Sequence, residues 1–210
     1  MAHSTAAFNL EDHGGSLGIP PGRSVVVDPA DGRIPYLPEA QKKRDDNWSK
    51  HRTADPLNKC FLPGVPRFMY MPFPFQIFQT ADFVMIAGEY VHTLRTIHFR
   101  GQHPEELEFW MGDSRGRWEG ESLVIDSASY NDQTWFDQSG NFHSAALHVV
   151  ERLTRTAPDR ITYEATIEDQ KVFKSPWKIR VPLELQKDTK QLLEYECFVD
   201  LEGEVAKDKK

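Results

Sequence analysis

The chain has 210 residues, of which 39% are hydrophobic and 27% charged, and its formal net charge is −7 at neutral pH. This length and composition are typical of a single globular domain with a sizeable core and exclude a disordered chain. The acidic balance argues against nucleic acid as a partner, because phosphate binding needs a basic surface. No apolar run approaches the roughly 18 residues of a membrane-spanning helix, so we expect no membrane partner.

Two compartments are consistent with the sequence: the cytoplasm, or the outside of the cell after cleavage of a signal peptide. The first fifteen residues lack a basic segment followed by an apolar one, so no signal peptide is expected in this sequence. Cys60 and Cys197 are too few for a disulfide framework or a four-thiolate zinc site. Two separate thiols are the simpler interpretation. A single bridge is the alternative for an exported protein.

Residues 1–66 are expected to form an irregular arm. Proline and glycine recur there, as in GIPPGR and LPGVPR, and both disfavour regular helix or sheet. One short helix is plausible after Pro38. The arm would be anchored on the domain by Ile34, Tyr36 and Leu37.

Residues 67–200 are expected to form an antiparallel β-barrel, followed by a charged tail at 201–210. Apolar and polar residues alternate with period two in RITYEATIED (160–169) and WKIRVPLEL (177–185), and the links between such segments are short. Many consecutive hairpin-linked strands favour a barrel or a strongly curled sheet. The predicted fold class is therefore all-β.

A G-x-S-x-G pattern at residues 112–116 raises the question of whether Ser114 is a hydrolase nucleophile. That motif works on a sharp turn between a strand and a helix. Here the serine is followed by RGRWEGESLVIDS, which indicates a turn and strands. We therefore interpret Ser114 as a loop serine that bonds to backbone groups.

The segment from Trp110 to Thr156 resembles a family of uncharacterised proteins from soil and environmental bacteria. Those proteins carry W-x-G-x-S-x-G-x-W-E-G, then F-N-D-x-T-W-x-D and H-S-x-x-L-x-V-x-E-R. Further likeness lies in PGVPR (63–67), PFPFQIFQT (72–80), EYVHTLRTIHF (89–99) and TIEDQKVFKSPW (166–177). The resemblance covers most of 18–198 and departs at Glu121-Ser122, Phe142 and Gln170. It implies a lipocalin-like barrel and no particular activity.

Arg95 and Glu151 are candidate catalytic residues on the inner face of the predicted barrel. Glu151 shares its strand face with Leu147, Val149 and Leu153, and Arg95 lies among apolar residues on another strand. A carboxylate in such surroundings has a raised pKa or a cationic partner. The alternative is a buried ion pair that sets strand register without chemistry.

Histidines supply the candidate bases. His92 is either a general base or a surface or hydrogen-bonded histidine, and a bulge near Gly88 would decide which way it faces. In the loop 130–144, Asp132 or Asp137 could hold His143 in one tautomer and make it a base near neutral pH. Alternatively, the Asn and Asp residues of this loop are simply turn formers.

We expect neither a metal nor a cofactor. His92, His143 and His148 have no recognised ligand spacing.

The predicted function is that of a cofactor-independent lyase, isomerase or dehydratase that transfers protons on a small apolar or aromatic molecule. Tyr130 and Phe136 lie near the proposed barrel mouth. The residues expected to bind the substrate are Tyr90, Trp110, Trp118, Asn131, Trp135 and Tyr163. The alternatives are a lipocalin-like carrier of a hydrophobic ligand and a domain that uses its arm to form a homodimer.

Overall fold

The computed structural model describes residues 2–16, 18–188 and 191–198. Nine strands form one sheet in the order β1-β9-β8-β7-β6-β5-β4-β3-β2. The strands are β1 (Val26–Asp28), β2 (Phe75–Gln79), β3 (Phe83–Gly88), β4 (Leu94–His98), β5 (Asp113–Glu119), β6 (Ser122–Ala128), β7 (His148–Ala157), β8 (Arg160–Glu168) and β9 (Trp177–Glu184). The predicted all-β class is confirmed.

The sheet is mixed and open, which differs from the antiparallel barrel expected from the sequence. β4 and β5 pair in parallel, with Ile97 opposite Ser114, because the long connection 99–112 carries the chain back to the starting edge of β4. β1 and β2 are the two edges, and within the described residues no ladder joins them.

One face of the sheet carries the core. Along β9, Trp177, Ile179, Val181 and Leu183 are buried and alternate with more exposed residues, as the period-two pattern predicts. On β8, the buried residues Tyr163, Ala165 and Ile167 alternate in the same way with less buried ones. This buried side is called the inner face below, and the opposite side is called the outer face.

The segment 1–66 is more regular than expected and belongs to the same core. Its helices are α1 (Ala2–Phe8), α2 (Pro38–Ser49) and α3 (His51–Ala54), and short 3-10 turns follow at Pro56–Lys59 and Arg67–Tyr70. The helix expected after Pro38 is α2, whereas α1 and β1 were not anticipated. Ile34 and Tyr36 are buried, and Leu37 packs against the core. Within the described part of the chain, no helix has the length and apolar character to cross a bilayer.

Two buried carboxylates hold this segment in place. Asp55 accepts hydrogen bonds from both Nη groups of Arg67 at 2.8 and 2.7 Å, and both side chains are almost completely buried. Asp137 accepts the backbone N–H of Leu10 at 2.9 Å and the N–H groups of Ser139 and Asn141. Asp137 therefore anchors the arm. The charged tail 201–210 lies outside the described residues.

A disulfide between Cys60 and Cys197 ties the C-terminal segment 191–198 to the arm, across 137 residues of sequence. The interpretation of two separate thiols is therefore wrong. Spacing could not reveal the bridge, because the two cysteines meet only when the chain ends fold back on each other. Leu193 adds a second tie by donating its N–H to the buried Glu89 carboxylate at 2.7 Å.

We expect the double variant Cys60→Ser/Cys197→Ser to lose about 2–5 kcal/mol of unfolding free energy, because a long closed loop is released. Denaturant unfolding of both proteins measures the difference. Peptide mapping without reduction should recover the 60–197 linked peptide from the wild-type chain. Two alkylatable thiols in the untreated protein would contradict the assignment.

The turn between β3 and β4 is strained. Val91 has φ of 42° and His92 has φ of 51°, and the Thr93 N–H donates to the Tyr90 carbonyl at 3.0 Å. Positive φ at both central positions is the type I′ pattern, which favours Asn and Gly. A β-branched residue such as Val91 is disfavoured there.

We expect Val91→Asn to raise the free energy of unfolding by about 1 kcal/mol, because Asn tolerates the left-handed conformation. The corresponding rise in melting temperature is about 2–4 °C. The matched control is Val27→Asn in the extended strand β1, where the same change should destabilise the sheet. A loss of stability in both variants would show that the turn is not strained.

Candidate functional site

Five adjacent strands each contribute one inner-face residue to a buried polar row. Arg95 on β4 reaches across Ser114 on β5 and Ser127 on β6 to Glu151 on β7, and Tyr163 follows on β8. All five side chains are buried. The short serines in the middle leave room for the guanidinium to lie across two strands.

Every charged atom of this row has a partner. Arg95 Nη1 donates to Glu151 Oε1 at 2.9 Å, and Nη2 donates to Oε2. Arg95 Nε donates to Ser114 Oγ at 3.1 Å, and Nη2 also donates to Ser127 Oγ at 3.0 Å. The Tyr163 hydroxyl donates to Glu151 Oε1 at 2.8 Å. The pairing of Arg95 with Glu151 is thus present in the fold.

Electrostatics keep Arg95 ionised. Burial by itself lowers the pKa of Arg95, but the charge and hydrogen bonds of Glu151 outweigh burial and the net shift is upward. Burial and the nearby Glu151 charge raise the pKa of Tyr163 well above its usual value. At neutral pH the row therefore contains a guanidinium and a neutral phenol on either side of Glu151.

Tyr130 borders both this row and a surface cleft. Its side chain is fully buried, and among the described residues its hydroxyl has no well-oriented hydrogen bond. Burial raises the pKa of this hydroxyl and the Glu151 charge raises it further, while the Arg95 charge and the nearby Ser127 hydroxyl lower it. A cleft of about 460 Å³ is lined by Glu105, Glu106, Leu107, Glu108, Ser129, Tyr130 and Ala145.

His143 is buried in a separate pair of hydrogen bonds. Its Nδ1 lies 2.9 Å from the Ser144 carbonyl, which assigns the proton to Nδ1, and its Nε2 then accepts from the Thr134 hydroxyl at 2.7 Å. Burial lowers the pKa of His143, so it is neutral. Gly64 of the PGVPR segment packs so closely on Thr134 that a Cβ there would lie 2.4 Å from Oγ1. The Thr134–His143 pair is therefore covered on the Thr134 side by Gly64.

Of the remaining candidate polar residues, His92 and Asp132 are exposed and Asn131 is half-buried, and none of the three joins the row. His92 lies 2.7 Å from Glu196 of the C-terminal segment, and its side chain is 55% exposed. Asp132 is exposed and accepts from the Gln133 amide, and Asn131 Oδ1 accepts the Gln133 N–H at 3.2 Å. Of the five candidate catalytic residues, the structure brings together Arg95 and Glu151.

The six residues expected to bind a substrate are spread over the molecule. Tyr90 is buried and stacks on Tyr195 with ring centroids 5.8 Å apart, and Trp110 packs on Phe61 at 4.8 Å. Trp118 is exposed, and Trp135 is half-buried beside the core. Asn131 is half-buried in the loop 130–144, and Tyr163 lies in the row. None of the six lines the cleft at Tyr130.

Ser114 lies within β5 and not in a loop, so that part of its interpretation is wrong. Its hydroxyl accepts from Arg95 and lies 3.0 Å from the Ser127 hydroxyl, where backbone partners were expected. Since a strand continues through it, the geometry of a nucleophile elbow is missing at this position.

Sequence reasoning missed a group of imidazoles and carboxylates on the outer face. His103 lies in the β4–β5 connection, with Nδ1 2.7 Å from Asp113 and Nε2 2.9 Å from Asp126. His148 on β7 lies 3.1 Å from the same Asp126 oxygen. The hydrogen bonds lower the pKa of Asp126, although burial acts in the opposite direction. The only sequence signal was polar residues on the outward positions of neighbouring strands.

Within the described residues, no group of three or more His, Cys, Asp or Glu side chains could hold a metal ion. Comparison with protein-family models, with curated proteins and with solved structures found no match. The description of the site therefore depends on its geometry.

We expect Glu151→Gln to cost about 3–5 kcal/mol of unfolding free energy, because it leaves the Arg95 charge buried and unpaired. The double variant Arg95→Met/Glu151→Leu should recover most of that loss, since neither charge then remains. Urea unfolding of both variants measures the two values. Equal losses in the single and double variants would show that the unpaired charge is not the cause.

Proposed function

We propose that this protein is a cofactor-independent enzyme that transfers a proton on a small, largely apolar or aromatic molecule. We place its reaction centre at Tyr130, Arg95 and Glu151, and its entrance at the cleft lined by Glu105–Glu108. The proposal includes a sheet that curls as in lipocalin-like barrels, so that the inner row faces the substrate.

The observation that carries the proposal is the buried Tyr130 hydroxyl beside an ion pair: Ser127 lies near this hydroxyl, but it makes no hydrogen bond of good geometry. A buried polar atom without a partner costs about 1–3 kcal/mol, so a fold retains it where a ligand supplies the missing bond. A buried ion pair is likewise often no more stable than apolar residues of the same size. Two such costs at one place favour a functional site.

The residues suit the chemistry of an enolising substrate. Tyr130 would donate a hydrogen bond to a substrate carbonyl oxygen, and the Arg95 charge would stabilise the negative charge that develops there. Glu151 would accept the proton from the neighbouring carbon, with Tyr163 holding its Oε1 in place. His143 is less suited to be the base, because its Nε2 is occupied by Thr134.

One observation favours the alternative of a carrier without catalysis. Arg95, Glu151 and Tyr163 satisfy one another, and a carboxylate in that state is a weak base. A carrier would use Tyr130 only to orient its ligand.

The test is deuterium uptake from D₂O into a panel of small aromatic and alicyclic carbonyl compounds, followed by mass spectrometry. We expect the wild-type chain to accelerate exchange of at least one compound and Tyr130→Phe to lower that rate at least tenfold. Its melting temperature should stay within a few degrees, because the lost hydroxyl makes no hydrogen bond of good geometry.

The matched control is Tyr36→Phe, which removes a buried tyrosine hydroxyl bonded to Asn141 elsewhere in the fold. It should leave the exchange rate unchanged. Saturable binding and thermal stabilisation without exchange of any compound would support the carrier and overturn the enzyme.

A further inference from the structure

The two edges of the sheet are built differently. β1 at one edge has 3 residues, contains Asp28 and is followed by Pro29, and short length, charge and proline all discourage pairing with another chain. β2 at the other edge has 5 residues and pairs with β3 without a bulge. No residue between Arg67 and Asp82 is charged. β2 therefore lacks the features that protect β1.

The backbone of β2 presents hydrogen-bonding groups to its open side. The Thr80 N–H donates to the Phe83 carbonyl at 2.9 Å, at one end of the β2–β3 pair. At the other end, the Glu89 N–H donates to the Pro74 carbonyl at 3.1 Å. Along an antiparallel strand, every second residue directs its backbone groups to the same neighbour. The residues of β2 that direct theirs away from β3 are therefore Phe75, Ile77 and Gln79.

The open side of β2 is accessible. Within residues 2–16, 18–188 and 191–198, no hydrogen bond reaches the outward N–H and C=O groups of this strand. The Ile77 side chain is 42% exposed although it lies on the inner face, and Phe78 on the outer face is 45% exposed. An edge with unpaired backbone groups and exposed apolar side chains is a template for a further strand.

The sequence of β2 is complementary to itself in one antiparallel register. A two-fold axis at Ile77 places this residue opposite its own copy and places Phe75 opposite Gln79 in both directions. All three residues direct their backbone groups to the open side, so each of these pairs exchanges two hydrogen bonds, about six in total. Every other antiparallel register leaves an outward group of β2 without a partner.

Side chains and charge fit the same register. The two copies of Ile77 meet on the inner face, and on the outer face Phe78 lies opposite Gln76 of the second copy. Each chain carries a net charge of −7, so two copies repel each other on average. Contact through the uncharged segment 68–81 places no carboxylate opposite another. Such an isologous contact closes after two chains.

We propose that β2 is the interface of a homodimer in which two copies of this chain pair their edge strands antiparallel about Ile77. The two sheets then form one continuous sheet. The contact lies on the sheet edge and not on the arm 1–66, and it does not rest on the proposed enzyme. β2 has 5 residues and spans about 17 Å, which is typical of weak interfaces of less than about 1,200 Å². We therefore expect a dimer that dissociates in the micromolar range.

The test is sedimentation velocity of the tag-free chain between about 5 and 500 µM, since a weak interface shows itself in this range. The mass should rise from 24.2 kDa towards twice that value as the concentration increases. A single species of 24.2 kDa at every concentration overturns the second copy as the occupant of this edge.

Two variants test the two-fold register at Ile77. Ile77→Lys and Ile77→Glu each place like charges opposite each other, so each should raise the dissociation constant at least tenfold. The monomer should stay folded, because the side chain at this position is partly exposed. An equimolar mixture of the two variants should associate more tightly than either alone, since opposite charges then face each other. A mixture no tighter than its components overturns the register.

The matched control is Val27→Lys, which adds the same charge at an exposed position of the other edge strand, β1. It should leave the dissociation constant unchanged. A loss of association equal to that of Ile77→Lys overturns the assignment of the interface to β2.

Amide hydrogen exchange followed by NMR gives a readout from the wild-type chain alone. The N–H groups of Phe75, Ile77 and Gln79 should exchange quickly in dilute protein and slowly in concentrated protein. Those of Gln76 and Phe78 face β3 and should be protected in both. Fast exchange of the three outward groups at all concentrations overturns the proposal, even if a variant fails to fold.

Discussion

The Arg95–Glu151 ion pair places the strictest physical constraint on this sheet. It links β4 to β7 across two intervening strands, and both charges are fully removed from water. A shift of one residue in any of these strands would turn an inward polar side chain outward and leave a buried charge unpaired. The serines on β5 and β6 belong to the same constraint, since bulkier residues would block the guanidinium. The pair therefore selects one register for four neighbouring strands.

The two faces of the sheet carry opposite kinds of polar group at the same level. Asp113 and Ser114 are consecutive on β5, and Asp126 and Ser127 are consecutive on β6, so the inner row and the outer cluster lie back to back. The faces are coupled electrostatically, because the Asp126 charge is among the influences that raise the pKa of Tyr130. Any change in the charge of the outer cluster will act on the hydroxyl that we place at the reaction centre.

Long-range polar ties order the segments that lack regular structure. The arm is held by the buried Arg67–Asp55 pair and by Asp137, which binds the backbone of Leu10. The C-terminal segment is held by the disulfide and by Glu89. Such ties offset the conformational entropy that a Pro- and Gly-rich chain loses on folding, without needing long helices or strands.

The sequence by itself determined the all-β class, the inward and outward faces of β7, β8 and β9 and the helix after Pro38, and it placed Arg95 and Glu151 on the inner face. These features follow from period two and local propensity, which act over a few residues. Only the tertiary structure decided the parallel β4–β5 pair, the disulfide, the burial of His143 and the meeting of His103 and His148 at Asp126. Those contacts join residues far apart in the chain, and local patterns carry no information about which distant side chains will meet.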